Sequence, residues 1–216
     1  MNVNIKELEQ QFHADGYRMG MYATEGGLLN EGLYDGVRAM YALVDEVIDA
    51  FTKYAEQHQK APDCKKGCSW CCFQPVFVNS YELDTLNKYI GGKFPEEEQT
   101  AIYGKAIGKY SKTKALKGEQ LLHSKHACPL LQNGMCSVYE MRPVACRIYL
   151  STNVHTCKQF YSNPSGAESI PELLDLPMRL GRMINEGFGA ALKANGVNVK
   201  ELRIEEGLVN YKSTSP

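Results

Sequence analysis

Cys64-Lys65-Lys66-Gly67-Cys68-Ser69-Trp70-Cys71-Cys72 is the stretch on which the reading of this chain turns. Its spacing is C-x3-C-x2-C, with a fourth cysteine following at once. A loop with that spacing wraps three thiolates around one cluster and leaves one iron for another ligand, a pattern typical of iron–sulfur ligation. Structural zinc sites favour paired C-x2-C knuckles, each giving half a tetrahedron, and only Cys68 and Cys71 are so spaced in this block. Neighbouring side chains diverge by about 180° in a strand and about 100° in a helix. Cys71 and Cys72 are therefore expected to serve different directions, one of them facing ligands supplied by another part of the chain.

That other part is a second block, Cys128, Cys136, Cys146 and Cys157, with 7, 9 and 10 residues between successive members. The eight cysteines all fall between residues 64 and 157, leaving the first 63 and the last 59 residues without any. Such clustering is not that of scattered core cysteines. A disulfide framework suits small secreted chains, whereas 216 residues can build a full hydrophobic core without staples. The expectation is that all eight thiols belong to metal centres. The net negative charge of thiolate sites must be offset, and Arg142 and Arg147, with Lys65 and Lys66, stand beside the ligands in sequence.

Around the two blocks the pattern is helical. Leu33, Val37, Met40, Tyr41, Val44, Ile48, Phe51 and Ala55 form one amphipathic stripe, bounded by Gly26-Gly27 and Ala61-Pro62. An earlier helix over 5–21 is interrupted in pattern by Gly16 and Gly20. Asn79 or Ser80 caps a helix to about Ile90, ended by Gly91-Gly92, and Pro95 with three glutamates starts another to about Leu116. Asn133-Gly134 between two short apolar runs signals a hairpin. Val144 to Tyr149 reads as one helical turn. Leu173, Leu176, Leu180, Ile184, Phe188 and Leu192 mark a last long helix, with Pro177 in its first turn and Asn195-Gly196 at its end. The predicted fold class is mainly α: a single helical domain, 1–216, around an irregular cysteine-rich metal-binding centre with a short β-hairpin. The cysteine core spans 64–157, and flanking helices occupy 1–60 and 171–195.

Charge excludes some partners. Twenty-four basic and 25 acidic side chains give a net charge of −1, so no global field draws the chain to nucleic acid or membrane. The local exception is Gly104 to His126, with six lysines against Glu119, read as a solvated helix face and left open as a surface for a protein partner. The N-terminal residues lack an export signal, and no apolar run approaches the roughly 20 residues that span a bilayer. The expected location is the cytoplasm, where thiols stay reduced.

With these motifs set out, the chain resembles a known family. Cys64 to Cys72, then Cys128-Pro129-Leu130-Leu131, then Cys136-Ser137-Val138-Tyr139-Glu140-Met141-Arg142-Pro143-Val144-Ala145-Cys146-Arg147 is similar to the cysteine-cluster proteins grouped as zinc- or iron-chelating domains (YkgJ-like). Cys157 corresponds to the trailing cysteine of that family. The resemblance implies metal binding through the eight cysteines and assigns no reaction. A similar cluster accompanies an iron–sulfur centre in flagellin lysine N-methylases, but this chain shows no glycine-rich S-adenosylmethionine loop after a strand. The C-x3-C-x2-C block also matches radical S-adenosylmethionine enzymes, whose strand–helix alternation is missing here.

Three functional readings follow. The first is an iron–sulfur protein, of [4Fe–4S] type, with structural, redox or metal-handling work. The second is a structural zinc module acting as an interaction protein. The third is an S-adenosylmethionine-dependent lysine methylase. Whether the chain is an enzyme at all stays open, and no catalytic residue is singled out. His123, His126 and His155 flank the second block, where a surface or capping role is commoner than ligation.

Overall fold

The computed structural model describes residues 4–25, 31–166 and 170–214; of residues 212–214 only the backbone is described. In chain order the helices are α1 (Ile5–Thr24), α2 (Glu31–Gln57), α3 (Ser80–Lys93), α4 (Glu96–Thr113), α5 (Gly118–His123), α6 (Val144–Arg147), α7 (Val154–Ser162), α8 (Asp175–Ala194) and α9 (Ile204–Thr214). The strands are β1 (Phe77–Asn79), β2 (Leu131–Gln132), β3 (Met135–Cys136) and β4 (Glu201–Arg203). The protein is mainly helical, as the periodicity predicts. The expected Gly26-Gly27 boundary lies outside the described residues. No described helix is long and apolar enough to cross a membrane.

The chain divides into two units. The first comprises Met1–Pro62, Pro143–Leu150 and Leu174–Lys200, and so holds α1, α2, α6 and α8. Its core is the apolar stripe of α2, with Val37, Met40, Tyr41 and Val44 buried, and that of α8, with Leu180, Ile184, Phe188 and Leu192 buried. α1 does not break at its glycines. Asn4 caps it by accepting from the Lys6 amide at 3.1 Å. Gly16 and Gly20 instead let α1 lie against α8: a Cβ on Gly16 would stand 2.0 Å from the Ile184 carbonyl oxygen. The contact is reciprocal, since a Cβ on Gly187 would stand 2.0 Å from the His13 oxygen.

The second unit comprises Asp63–Arg142, Ser151–Leu173 and Glu201–Pro216. Val78, Leu83, Leu86, Ile90, Ile102, Ala106, Leu130, Val138, Ile204 and Leu208 form one buried cluster. β1 pairs antiparallel with β4 in the register Phe77–Arg203, Val78–Leu202 and Asn79–Glu201, and these short strands lead directly into α3 and α9. Glu82 in the first turn of α3 accepts from the Asn79 amide at 3.4 Å. Gly91 and Gly92 lie inside α3, which runs on to Lys93. Pro95 precedes α4, whose first turn carries Glu96, Glu97 and Glu98 against the positive end of the helix dipole. Lys109 departs from the solvated-face reading. It is buried within the unit and pairs with Glu205 at 3.5 Å.

Candidate metal centre

Seven of the eight cysteines belong to the second unit; Cys146, on α6, belongs to the first. None of the eight is in a disulfide. Gly67, at φ +98°, supplies the backbone turn between Cys64 and Cys68, which the Cys68 amide closes on the Lys65 carbonyl at 2.9 Å. A 3-10 turn, Trp70–Phe73, then carries Cys71 and Cys72. Its aromatic side packs against α7, with the Tyr161 ring 5.3 Å from that of Trp70 and 4.9 Å from that of Phe73.

Cys157 reaches this block because it sits on α7, a helix the sequence reading missed. Asn153 caps α7 through the His155 amide at 3.0 Å, and the Asp63 carboxylate accepts from the Val154 amide at 2.9 Å. The Asp63 amide donates to the Ser151 carbonyl at 2.8 Å, tying the start of the first block to the strap before α7. From that strap the Ser151 amide donates to the Cys64 sulfur at 3.1 Å.

Four thiols are electrostatically coupled by this arrangement. Burial pushes Cys64 up to about 11, the Ser151 amide opposes the rise, and Cys68, Cys71 and Cys157 add to it by repulsion. Cys157 is raised chiefly by burial, is hydrogen-bonded by the Ser151 side chain, and is repelled by Cys68 and Cys71. Cys71 moves the other way, down to about 7, because the Cys72 side chain hydrogen-bonds to it and Arg142 lies near.

The second block contributes two further thiols. The Cys128 amide donates to the Cys72 carbonyl at 2.7 Å, joining the blocks. Asn133 at φ +49° and Gly134 at φ +76° make the expected hairpin turn, which pairs Leu131 with Cys136. Burial raises Cys128 to about 11 and also raises Cys136. Backbone N–H groups of Leu130 and Val138 hydrogen-bond the two sulfurs and favour their thiolates. Cys136 feels Cys71 as well as Cys128, so the thiols form a connected series.

The charges that answer these thiolates are only partly those adjacent in sequence. Arg142 lowers both Cys71 and Cys136, and its guanidinium stands 4.1 Å from the centre of the Tyr139 ring. Arg147 lies in the other unit, where it is buried, ion-paired to Asp45 and 4.3 Å from the Tyr41 ring centre. Lys109, missed at the sequence level, favours the Cys128 thiolate. His155 contributes its backbone amide to the α7 cap, and the His123 ring contacts Ser165 at 3.3 Å.

Among the described residues no three Cys, His, Asp or Glu side chains are gathered closely enough to hold a metal ion as they stand. The fit to a metal is therefore one of donor chemistry. Soft sulfur donors repel one another, and backbone N–H groups are aimed at their sulfurs, as in thiolate centres generally. Residues 63–165 match the family model described as "CxxCxxCC: Putative zinc- or iron-chelating domain". No curated protein and no solved structure matches the chain.

Proposed function

From the premise that residues 63–165 belong to the CxxCxxCC family of zinc- or iron-chelating domains, we propose that the chain is an iron–sulfur protein whose cluster, of [4Fe–4S] type, is held by cysteines of both blocks. The observation that carries the reading is the coupling of Cys64, Cys68, Cys71 and Cys157, which brings three thiols of the tight loop and one of α7 into a single repelling set. Cys128 and Cys136 extend that set as ligands toward Cys71.

Several features support a cluster. Three thiols on one loop, with a fourth from elsewhere in the chain, match the demand of a cubane. The N–H donors to Cys64, Cys128 and Cys136 are the kind of contact that sets a cluster's potential. When bound, such a group supplies one-electron chemistry or structural support. The protein's own residues hold the thiols, offset their charge through Arg142 and shield one side with Trp70, Phe73 and Tyr161. A structural zinc site is the second reading, because four thiolates also satisfy tetrahedral zinc and zinc stands in the family's description.

The deciding experiment is anaerobic purification followed by iron, acid-labile sulfide and zinc analysis with a visible spectrum. Stoichiometric iron and sulfide with broad absorbance near 400 nm is expected. A colourless protein with stoichiometric zinc removes the cluster. A protein with neither metal, and no affinity for either, removes metal binding altogether.

A further inference from the structure

The first turn of α7 is capped twice. Its own Asn153 accepts from the His155 amide at 3.0 Å, which is an ordinary local cap. Asp63 supplies the second cap from 91 residues away in sequence, its carboxylate accepting from the Val154 amide at 2.9 Å. A negative group at that end also meets the positive end of the helix dipole. Exposed amides of a first turn can be satisfied by water, so the distant cap is not needed to complete the helix. What it adds is a fixed place for α7 against the first cysteine block.

The backbone of Asp63 is itself held. Its amide donates to the Ser151 carbonyl at 2.8 Å, and the Ser151 amide donates to the Cys64 sulfur at 3.1 Å. Ser151 in turn bridges to Leu173, and the neighbouring Thr152 amide donates to the Glu172 carbonyl at 3.1 Å. Residues 63 and 64 are thus registered against the strap, and the Asp63 carboxylate carries that register onto α7. Helical side chains lean toward the N-terminus of their helix. Cys157 lies three residues beyond Val154, so its sulfur is carried back over the turn that Asp63 holds. Cys64 is the residue next to Asp63 on the other side of the clasp.

We infer that Asp63 is a positioning residue that sets the pairing of Cys64 with Cys157, the first and last of the eight cysteines, and so closes the cysteine region end to end. Its use to the protein rests on the reading that these two thiols share a metal, and a metal-free measurement keeps the two ideas apart. Reduced, metal-free full-length protein is treated with a short bis-maleimide and digested, and the cross-linked Cys64–Cys157 peptide is quantified by mass spectrometry. Wild type, Asp63→Ala, Asp63→Asn and Asn153→Ala are compared. The yield falls several-fold in Asp63→Ala and recovers in Asp63→Asn, which keeps an acceptor oxygen for the Val154 amide. Asn153→Ala removes the local cap but leaves the Asp63 contact, so it keeps the cross-link. Asp63 is exposed and lies outside the buried cluster, so its replacement leaves the unit folded.

The same variants are then titrated anaerobically with cobalt(II), reading the thiolate-to-cobalt charge-transfer band. Asp63→Ala weakens binding on the order of 10-fold, as loss of an outer partner does. In a Cys157→Ser background it adds nothing further, because the two changes act through one thiol. An unchanged cross-link in Asp63→Ala, an equal fall in Asn153→Ala, or the full loss of affinity repeated in the Cys157→Ser background overturns the inference. A wild-type chain that cross-links as expected but gives no charge-transfer band overturns the shared-metal reading alone.

Discussion

Replacing Gly16 by alanine gives the sharpest physical test of the helical unit. The added Cβ would stand 2.0 Å from the Ile184 carbonyl oxygen. An ordinary carbon–oxygen contact needs roughly 3.3 Å. The two backbones must therefore part by about 1.3 Å, because neither is a side chain that can rotate away. A gap of 0.5–1 Å already forfeits about a quarter to a half of each dispersion contact along an interface. Overpacking of this kind costs about 1–3 kcal/mol, occasionally more, and backbone-on-backbone contact belongs at the upper end. Against it, alanine gains about 1 kcal/mol of helix propensity over glycine. The expected net loss is about 2 kcal/mol, a fall in melting temperature of roughly 4–8 °C for a chain of this size. Gly104→Ala is the control: nothing lies within 4 Å of its Cβ, so it keeps the propensity gain and melts slightly higher. Thermal unfolding followed by circular dichroism reads both. A Gly16→Ala protein as stable as Gly104→Ala would show that α1 and α8 do not meet through this glycine.

In the reduced, metal-free protein at pH 8, Cys71, lowered to about 7, is mostly thiolate, whereas Cys64 and Cys128, raised to about 11, are almost wholly thiol. Timed alkylation with peptide mass mapping is expected to mark Cys71 ahead of Cys64 and Cys128; the reverse order would contradict the assignment. Arg142→Met withdraws the charge that lowers Cys71 and Cys136, so the labelling of Cys71 shifts to higher pH. Gly134→Val puts a β-branched residue at φ +76° and should destabilise the hairpin by about 1–2 kcal/mol, lowering metal content through Cys136. Lowering the pH through the thiol range should release metal, since protons and metal compete for the same sulfurs.

The hairpin and the long helices of the first unit were legible because their causes are local. Asn133-Gly134 accepts positive φ at both positions, and the stripes of α2 and α8 repeat with the helical period. Gly16 and Gly20 were misleading for the opposite reason. Propensity counts glycine as a break, while its use here is set by a partner helix more than 160 residues away in sequence. Lys109 was read as solvated for want of any local sign that Glu205 would be buried against it. The β1–β4 pair and α9 were missed because three-residue strands carry no period, and their pairing joins positions far apart in the chain. Within the candidate centre, the cysteines and Arg142 could be read from spacing. Ser151 and the α7 cap at Asn153 could not, since an amide donor to sulfur leaves no mark on residue type.

The hydrogen bond from the Cys128 amide to the Cys72 carbonyl spans a gap of 55 residues in sequence. Closing a flexible loop of that length carries a length-dependent entropy term of about 3.5 kcal/mol. Here the packing of α3, α4 and α9 into one buried cluster offsets that term. The hydrophobic core of the second unit and the meeting of its two cysteine blocks are thus one structural fact: what buries the apolar cluster also keeps Cys72 beside Cys128.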